Sequence, residues 1–140
     1  MITAGITNSF KEQLPLGVHD LDTDVLKIAL YTADAELGPL TTEYTSADEV
    51  AGVGYTATGQ VLTGVTVSLS NSLGIAFISF NNPTWPAATF TTRGALIYNS
   101  SKAGKSIAVL NFGLNQTMLS QQFQIQLPTN DAESAIIRIN

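Results

Sequence analysis

The sequence predicts an all-β protein: a jelly-roll-like antiparallel β-sandwich of about eight strands with a short N-terminal helix. Three observations predict this class. Apolar residues alternate with polar ones in several short segments. Clusters of Asn, Pro, Gly and Ser separate those segments. None of the segments has the apolar spacing of a long helix. Because 140 residues is the length of one domain, we expect a single sandwich over residues 1–140.

Residues 1–24 are expected to form an N-terminal arm that contains the helix. The helix is predicted over residues 8–16, because Glu12 follows Ser9 at the spacing of a capping box and a proline and a glycine end the segment. Phe10 and Leu14 are four residues apart and would share one face. This arrangement is typical of a surface helix that closes one end of a sandwich.

The first long strand is predicted over residues 25–32, and a long loop follows it. Alternation along this strand places three apolar side chains on one face, namely Leu26, Ile28 and Leu30. Residues 33–54 contain Gly, Pro and a Thr-rich stretch and have no strand pattern, so they are predicted to be a loop. Ser46 stands three residues before Glu49, which allows one helical turn within the loop.

The second half of the chain is dense in predicted strands. Those strands are expected over residues 65–70, 74–80, 88–92, 94–99, 106–112, 122–128 and 134–140, with turns at residues 81–86, 100–105, 113–116 and 128–131. Several of them are apolar on both faces, which is expected where a second layer covers the sheet. The extra apolar face is expected to be covered by a long loop, a symmetry mate or a host protein, and the 33–54 loop is the candidate for part of that cover.

Two features are candidate contacts for a partner protein. The predicted strand 122–128 alternates, with Phe123, Ile125 and Leu127 directed inward, and with three amide side chains directed outward, namely Gln122, Gln124 and Gln126. Trp85 stands between two prolines. It is expected either to anchor a partner at the rim of an interface or to plug one end of the core.

The charge content also points to protein contacts. Only 12% of the residues are charged, about half of the roughly 25% that is usual, and Thr, Ser, Asn and Gln together contribute 44 residues. Hydroxyl and amide groups cost less to remove from water than ions do. A surface depleted in charge is therefore suited to packing against other proteins. The alternative is a secreted β-domain with a Thr- and Ser-rich exterior.

Several function classes are disfavoured by composition. The net charge of −5 and six scattered basic residues argue against nucleic-acid binding. No apolar run approaches the 18 or so residues of a membrane span, and the first residues lack the pattern of a signal peptide. Without cysteine the chain has no thiolate chemistry. We expect no cofactor, and synthesis in the cytoplasm.

One cluster of carboxylates resembles part of a calcium-binding loop. Three aspartates stand at its first, third and fifth positions, namely Asp20, Asp22 and Asp24. The pattern then fails, because Val25 occupies the glycine position and Tyr31 the position of the bidentate glutamate. We therefore expect these carboxylates to cap backbone amides, with a weak ion site as the alternative.

Catalysis is not expected. His19 is the single histidine, and no Gly-x-Ser-x-Gly sequence accompanies it, so a Ser–His–Asp site has no support. Most carboxylates lie in the first third of the chain, away from the strands that would build a rigid glycosidase cleft. The glycines of residues 52–59 are not followed by Lys-Ser or Lys-Thr, which excludes a P-loop.

Long runs of the chain resemble a family of small virion proteins of tailed bacteriophages. The runs are NSFKEQLPLGVHDLDTDVLKIALYTADAELG, DEVAGVGYTATGQVLTGVTVSLS, PTWPAATFTTRGALIYNSSKAGKSIAVLNFG and SAIIRIN, of which RGALIYNSSKA is the most distinctive. The resemblance covers nearly the whole chain. It implies a jelly-roll cement (decoration) protein without catalytic residues, which forms a homodimer and binds the major capsid protein on the outer capsid surface of the virion.

Two other functions stay open. A receptor- or carbohydrate-binding module of a phage tail also uses a jelly-roll sandwich, and it would need exposed aromatic side chains and trimeric assembly. A hydrolase would need His19 or a pair of carboxylates in a cleft.

Overall fold

The computed structural model describes residues 1–139 of the chain. Its regular elements are eight strands, one short α-helix and one 3₁₀ turn. The elements in chain order are β1 (Gly5–Ile6), α1 (Asn8–Gln13), β2 (Leu26–Tyr31), β3 (Gln60–Val61), β4 (Thr66–Ser70), β5 (Ile75–Ser79), β6 (Thr84–Asn99), a 3₁₀ turn (Ser100–Lys102), β7 (Lys105–Gln124) and β8 (Ile137–Ile139).

The strands form two antiparallel sheets. The large sheet has the order β1-β7-β6-β2-β3, and the small sheet has the order β4-β5-β8. All the pairings between these strands are antiparallel. The predicted class, an all-β antiparallel sandwich of about eight strands with a short N-terminal helix, is confirmed.

The strands of the second half are longer and fewer than predicted. The predicted strands 88–92 and 94–99 are one strand, β6, which begins at Thr84 within the turn predicted at residues 81–86. β7 joins the predicted strand 106–112 to the first three residues of the predicted strand 122–128 and ends at Gln124. The turn predicted at residues 113–116 is wrong. Arg93 alone separates Thr92 from Gly94, whereas residues 112–115 separate their partners Gln116 and Asn111. The turn-forming residues therefore make a wide bulge and not a chain reversal.

The helix is shorter than predicted and is not capped as predicted. It ends at Gln13, and Thr7 precedes it without a side-chain cap. The Ser9 hydroxyl instead donates to the carbonyl oxygen of Thr41 at 3.5 Å and lies 3.3 Å from the Ser106 hydroxyl. The predicted capping box is therefore wrong, because tertiary partners take the Ser9 hydroxyl. Phe10 is buried in the main core, as expected for a helix that closes the sandwich.

Both faces of β2 are buried, and each belongs to a different core. Leu26, Ile28 and Leu30 lie in the main core between the two sheets, on one face as predicted. The opposite face of the large sheet carries a second core, in which the sheet contributes Ala29, Tyr31, Leu96, Tyr98 and Val109.

The chain itself covers this second core. Ala35, Leu37 and Tyr44 of the 33–54 loop pack on it, together with Ile2 of the N-terminal arm. The prediction that the loop covers part of the extra apolar face is confirmed. The helical turn predicted near Ser46 is wrong. The backbone amide of Glu49 does donate a hydrogen bond to the carbonyl oxygen of Ser46 at 3.3 Å. Asp48, however, has a left-handed φ of 61°, and an α-helix cannot continue through a residue in that conformation.

The glycines of residues 52–59 allow close packing of backbones. A Cβ atom on Gly54 would overlap the carbonyl oxygen of Ala87, and one on Gly59 would overlap that of Ile28. Both glycines also have positive φ values, 87° and 81°. They let this loop lie directly against β6 and β2.

Candidate protein-contact surface

The outer side of β7 is an open sheet edge. Within residues 1–139, β1 pairs with β7 only at Gly5↔Val109 and Ile6↔Ala108, so beyond Leu110 the strand has a partner among these residues, β6, on one side only. No residue from Ser106 to Asn130 is Asp, Glu, Lys or Arg. Open edges usually carry charge or proline, which discourages pairing with another chain. We call the stretch from Leu110 to Gln124 the β7 edge.

Two leucines on the β7 edge are exposed to solvent. Leu114 lies in the wide bulge and is 71% exposed, and Leu119 is 77% exposed. A second irregularity follows Leu119, where Ser120 has a left-handed φ of 51°. Bulges redirect side chains at sheet edges. Here they leave both leucines outside the core.

The predicted row of glutamines is exposed and internally bonded. Gln122, Gln124 and Gln126 all face solvent, while Phe123 and Ile125 are buried, so the predicted alternation is confirmed. The side-chain amide of Gln126 donates to Gln124 at 2.5 Å, and that of Gln124 donates to the Thr84 hydroxyl at 3.0 Å. The row extends the uncharged surface beyond the end of β7.

Trp85 is part of the core. It is 4% exposed, and its ring centroid lies 5.7 Å from that of Phe123 and 6.4 Å from that of Tyr55. Trp85 stands directly opposite Phe123 in the β6–β7 register, so both rings are directed to the same, inner face. The role of Trp85 as an interface anchor is therefore wrong, and its alternative role as a core plug is confirmed.

All four tyrosine hydroxyls are bonded within the chain. Tyr44 and Tyr55 donate to the two carboxylate oxygens of Glu49 at 2.6 and 2.5 Å. Tyr31 donates to the carbonyl oxygen of Thr45 at 2.6 Å and Tyr98 to that of Thr58 at 2.5 Å. Burial raises the pKa of Tyr44 and of Tyr55, and the hydrogen bond that each donates to Glu49 raises it further. Within residues 1–139 no tyrosine or tryptophan forms an exposed platform for a sugar ring.

The single histidine belongs to the N-terminal arm and lies in a polar cluster between the arm and the end of β6. His19 is 8% exposed; its Nδ1 lies 3.0 Å from Nδ2 of Asn99, and its Nε2 lies 2.8 Å from Oε1 of Gln13. Nδ2 of Asn99 is only a donor, so Nδ1 accepts and Nε2 carries the proton. Burial lowers the pKa of His19, and Lys105 and Lys102 lower it further against the opposing effect of Asp24. Amide partners therefore occupy both ring nitrogens.

The aspartates before β2 stabilise the local backbone. Oδ1 of Asp20 accepts from the amides of Asp22 and Thr23 at 3.2 and 3.3 Å. Asp24 accepts from the Asp20 amide at 3.0 Å and pairs with Lys102 at 3.2 Å. The predicted capping of backbone amides is confirmed for Asp20 and Asp24. Over residues 1–139 no three His, Cys, Asp or Glu side chains converge on a common point where a metal ion would bind.

The sequence contains one signal of the β7 edge that the predicted strands and turns do not include. The charge-free stretch from Ser106 to Asn130 is readable from the sequence, but Leu114 and Leu119 look like ordinary strand or turn residues there. Only the pairing with β6 shows that they lie on an open edge.

In the described part of the chain no helix is both long and apolar enough to span a bilayer. The chain matches no protein-family model, no curated protein and no solved structure.

Proposed function

We propose that this chain is a structural virion protein, a capsid cement (decoration) protein that binds the outside of the major capsid protein shell of a tailed phage and stabilises it. The β7 edge is the observation that carries the proposal, because it is open, uncharged and bears two exposed leucines. The resemblance of the sequence to such virion proteins supplies the class of partner.

The β7 edge suits a permanent contact with another protein. An open edge offers backbone donors and acceptors for pairing with a partner strand. Its amide and hydroxyl side chains, together with Leu114 and Leu119, cost less to desolvate than charged groups. The second core gives no support for a partner, because the chain covers that core itself.

Stabilisation of the shell follows from mass action. A protein that binds the assembled lattice better than free subunits shifts the equilibrium towards the lattice. If two copies act as a homodimer that bridges neighbouring subunits, the first contact raises the effective concentration for the second. Each contact then needs only modest affinity.

The alternative function, a receptor- or carbohydrate-binding module of a phage tail, has less support. Sugar-binding surfaces of that kind depend on exposed aromatic rings. Trp85 is buried here, and the four tyrosine hydroxyls are engaged within the chain.

The test is co-sedimentation of the purified chain with phage shells that lack it. We expect the wild-type chain to sediment with the shells, and Leu114→Lys/Leu119→Lys to lose about tenfold or more in affinity, because each lysine must be desolvated on binding. Leu40→Lys/Leu73→Lys, which changes the charge equally at exposed leucines elsewhere, is the matched control. Failure of the wild-type chain to bind shells, or its location at the tail tip in electron cryomicroscopy of virions, would contradict the proposal.

A further inference from the structure

A groove lies between α1 and β8 and is lined by residues of the N-terminal arm and of β8. It has a volume of about 420 Å³, and its floor includes Ile6, Phe10, Leu14 and Ile139. Lys11 and Arg138 also line it. A second depression shares Ile6, Lys11 and Arg138 with it, so the two form one continuous groove.

Both sheets end at this groove. β1 is the terminal strand of the large sheet, and β8 is the terminal strand of the small sheet. Among residues 1–139, β8 pairs only with β5, so its other side offers backbone groups to a further strand. Three residues of strand span roughly 10 Å, which is enough for three or four residues of an extended partner segment.

The charges of the groove are of one sign. Its lining contains two of the six basic residues, Lys11 and Arg138, and none of the eleven acidic ones. No carboxylate of residues 1–139 forms an ion pair with either cation; Arg138 instead donates to the carbonyl oxygen of Glu133 at 2.5 Å. In a chain of net charge −5, this groove is therefore a local site for an acidic partner.

We propose that the groove binds an extended acidic segment of the capsid shell protein by addition of a strand to β8. Backbone groups of the segment pair with β8, and its apolar side chains pack on Ile6, Leu14 and Ile139. Its carboxylates pair with Lys11 and Arg138. This inference rests on the proposed function and assigns it a second contact site, separate from the β7 edge.

A second copy of this chain is a poorer occupant. Pairing of two copies through their β8 edges would bring Lys11 and Arg138 of one copy close to the same two cations of the other, and like charges repel. An extended segment of another protein can bring carboxylates that are free to pair.

Charge reversal in the shell co-sedimentation assay tests the proposal. We expect Lys11→Glu/Arg138→Glu to lower shell affinity about tenfold or more, because both charges then repel the segment. Lys27→Glu/Lys105→Glu makes the same change in net charge outside both the groove and the β7 edge, and it is expected to bind within about twofold of wild type. Equal loss in both variants would show a general charge effect and overturn the proposal. If the groove variant does not fold by its thermal unfolding curve, Lys11→Gln/Arg138→Gln takes its place.

Photo-cross-linking identifies the occupant. A benzophenone side chain at position 14, where Leu14 lines the groove, is expected to attach to the shell protein on bound shells. Attachment to a second copy of this chain would overturn the proposal, and so would unchanged shell binding by the groove variant; the proposed function would stand in both cases. If the wild-type chain does not bind shells at all, the proposed function fails, and this inference fails with it.

Discussion

The side-chain nitrogen of Asn99 lies 3.0 Å from Nδ1 of His19 and donates a second hydrogen bond, of 2.8 Å, to Asp24. Asn99 is fully buried at the end of β6, whereas His19 and Asp24 belong to the N-terminal arm. The side-chain oxygen Oδ1 of Asn99 accepts from the backbone amide of Ser101, which fixes the orientation of the side chain. One amide therefore joins the arm to the turn between β6 and β7.

The stability of the fold is expected to fall as the pH drops below about 6.5, the usual pKa of histidine. Burial lowers the pKa of His19 in the folded chain, so the unfolded chain takes up the proton first and stability is lost as the pH falls through this window. Protonated Nδ1 would also face the donor nitrogen of Asn99. The groups that act on His19 are Asp24, Lys102 and Lys105.

Urea unfolding at pH 7.5 and 5.5, followed by the fluorescence of buried Trp85, measures this loss. His19→Gln keeps a polar side chain without a titrating ring, and it is expected to show little change between the two pH values. Asp24 does not obscure the result: hydrogen bonds from Asn99, Asp20 and Lys102 outweigh burial and lower its pKa, so its contribution is lost only below about 3.8. The same pH dependence in His19→Gln would refute the assignment to His19.

Asn99→Ala is expected to destabilise the fold by about 3 kcal/mol. The substitution leaves Nδ1 of His19 and the amide of Ser101 without their partner and removes one of the two hydrogen bonds to Oδ2 of Asp24, and unsatisfied buried polar groups are costly. Asn115→Ala, at an exposed position of the wide bulge, is the control and is expected to change stability by about 0.5 kcal/mol or less. Equal free energies of unfolding for the two variants would contradict this role of Asn99.

Glu49→Gln is expected to lower the free energy of unfolding by about 1–3 kcal/mol. The carboxylate of Glu49 accepts hydrogen bonds from Tyr44, Tyr55 and the backbone amide of Thr58. A glutamine replaces one of the two charged oxygens with an NH₂ group, so a donor would then face the donor of a hydroxyl or an amide. Exposed Glu12 provides the control, Glu12→Gln, with an expected change within about 0.5 kcal/mol. If both variants unfold at the same urea concentration, the Glu49 network does not stabilise the loop.

Gly54→Ala and Gly17→Ala separate backbone strain from overlap. Both glycines have positive φ values, 87° and 71°, but a Cβ atom on Gly17 meets no other atom within 4 Å, whereas one on Gly54 overlaps Ala87. We expect a loss of about 1 kcal/mol for Gly17→Ala, from strain alone, and about 3 kcal/mol or more for Gly54→Ala. Similar losses, measured by urea unfolding, would show that the loop can move away from β6.

Alternation along a strand was sufficient to predict which side chains share a face. Leu26, Ile28 and Leu30 lie together in the main core, and Gln122, Gln124 and Gln126 face solvent. The period of two is a local property of an extended backbone, so it can be read without knowledge of the partner strands.

Turn and cap signals were less reliable because tertiary contacts compete with them. Gly113 lies in a bulge of β7, where continued pairing with β6 replaces the predicted turn. Ser9 has the sequence context of a cap, but its hydroxyl contacts Thr41 and Ser106. Both outcomes depend on strands that are distant in sequence, which no local pattern contains.

The sequence by itself determined the class of the fold, the faces of its strands and the low charge of its surface, because these follow from local periodicity and composition. Only the tertiary structure decided that Trp85 is buried, that Leu114 and Leu119 lie on an open edge, and that Lys11 lies near Arg138. The physical reason is that strand pairing and sheet stacking bring together residues from opposite ends of the chain, and these long-range choices set what each face covers and what it leaves exposed.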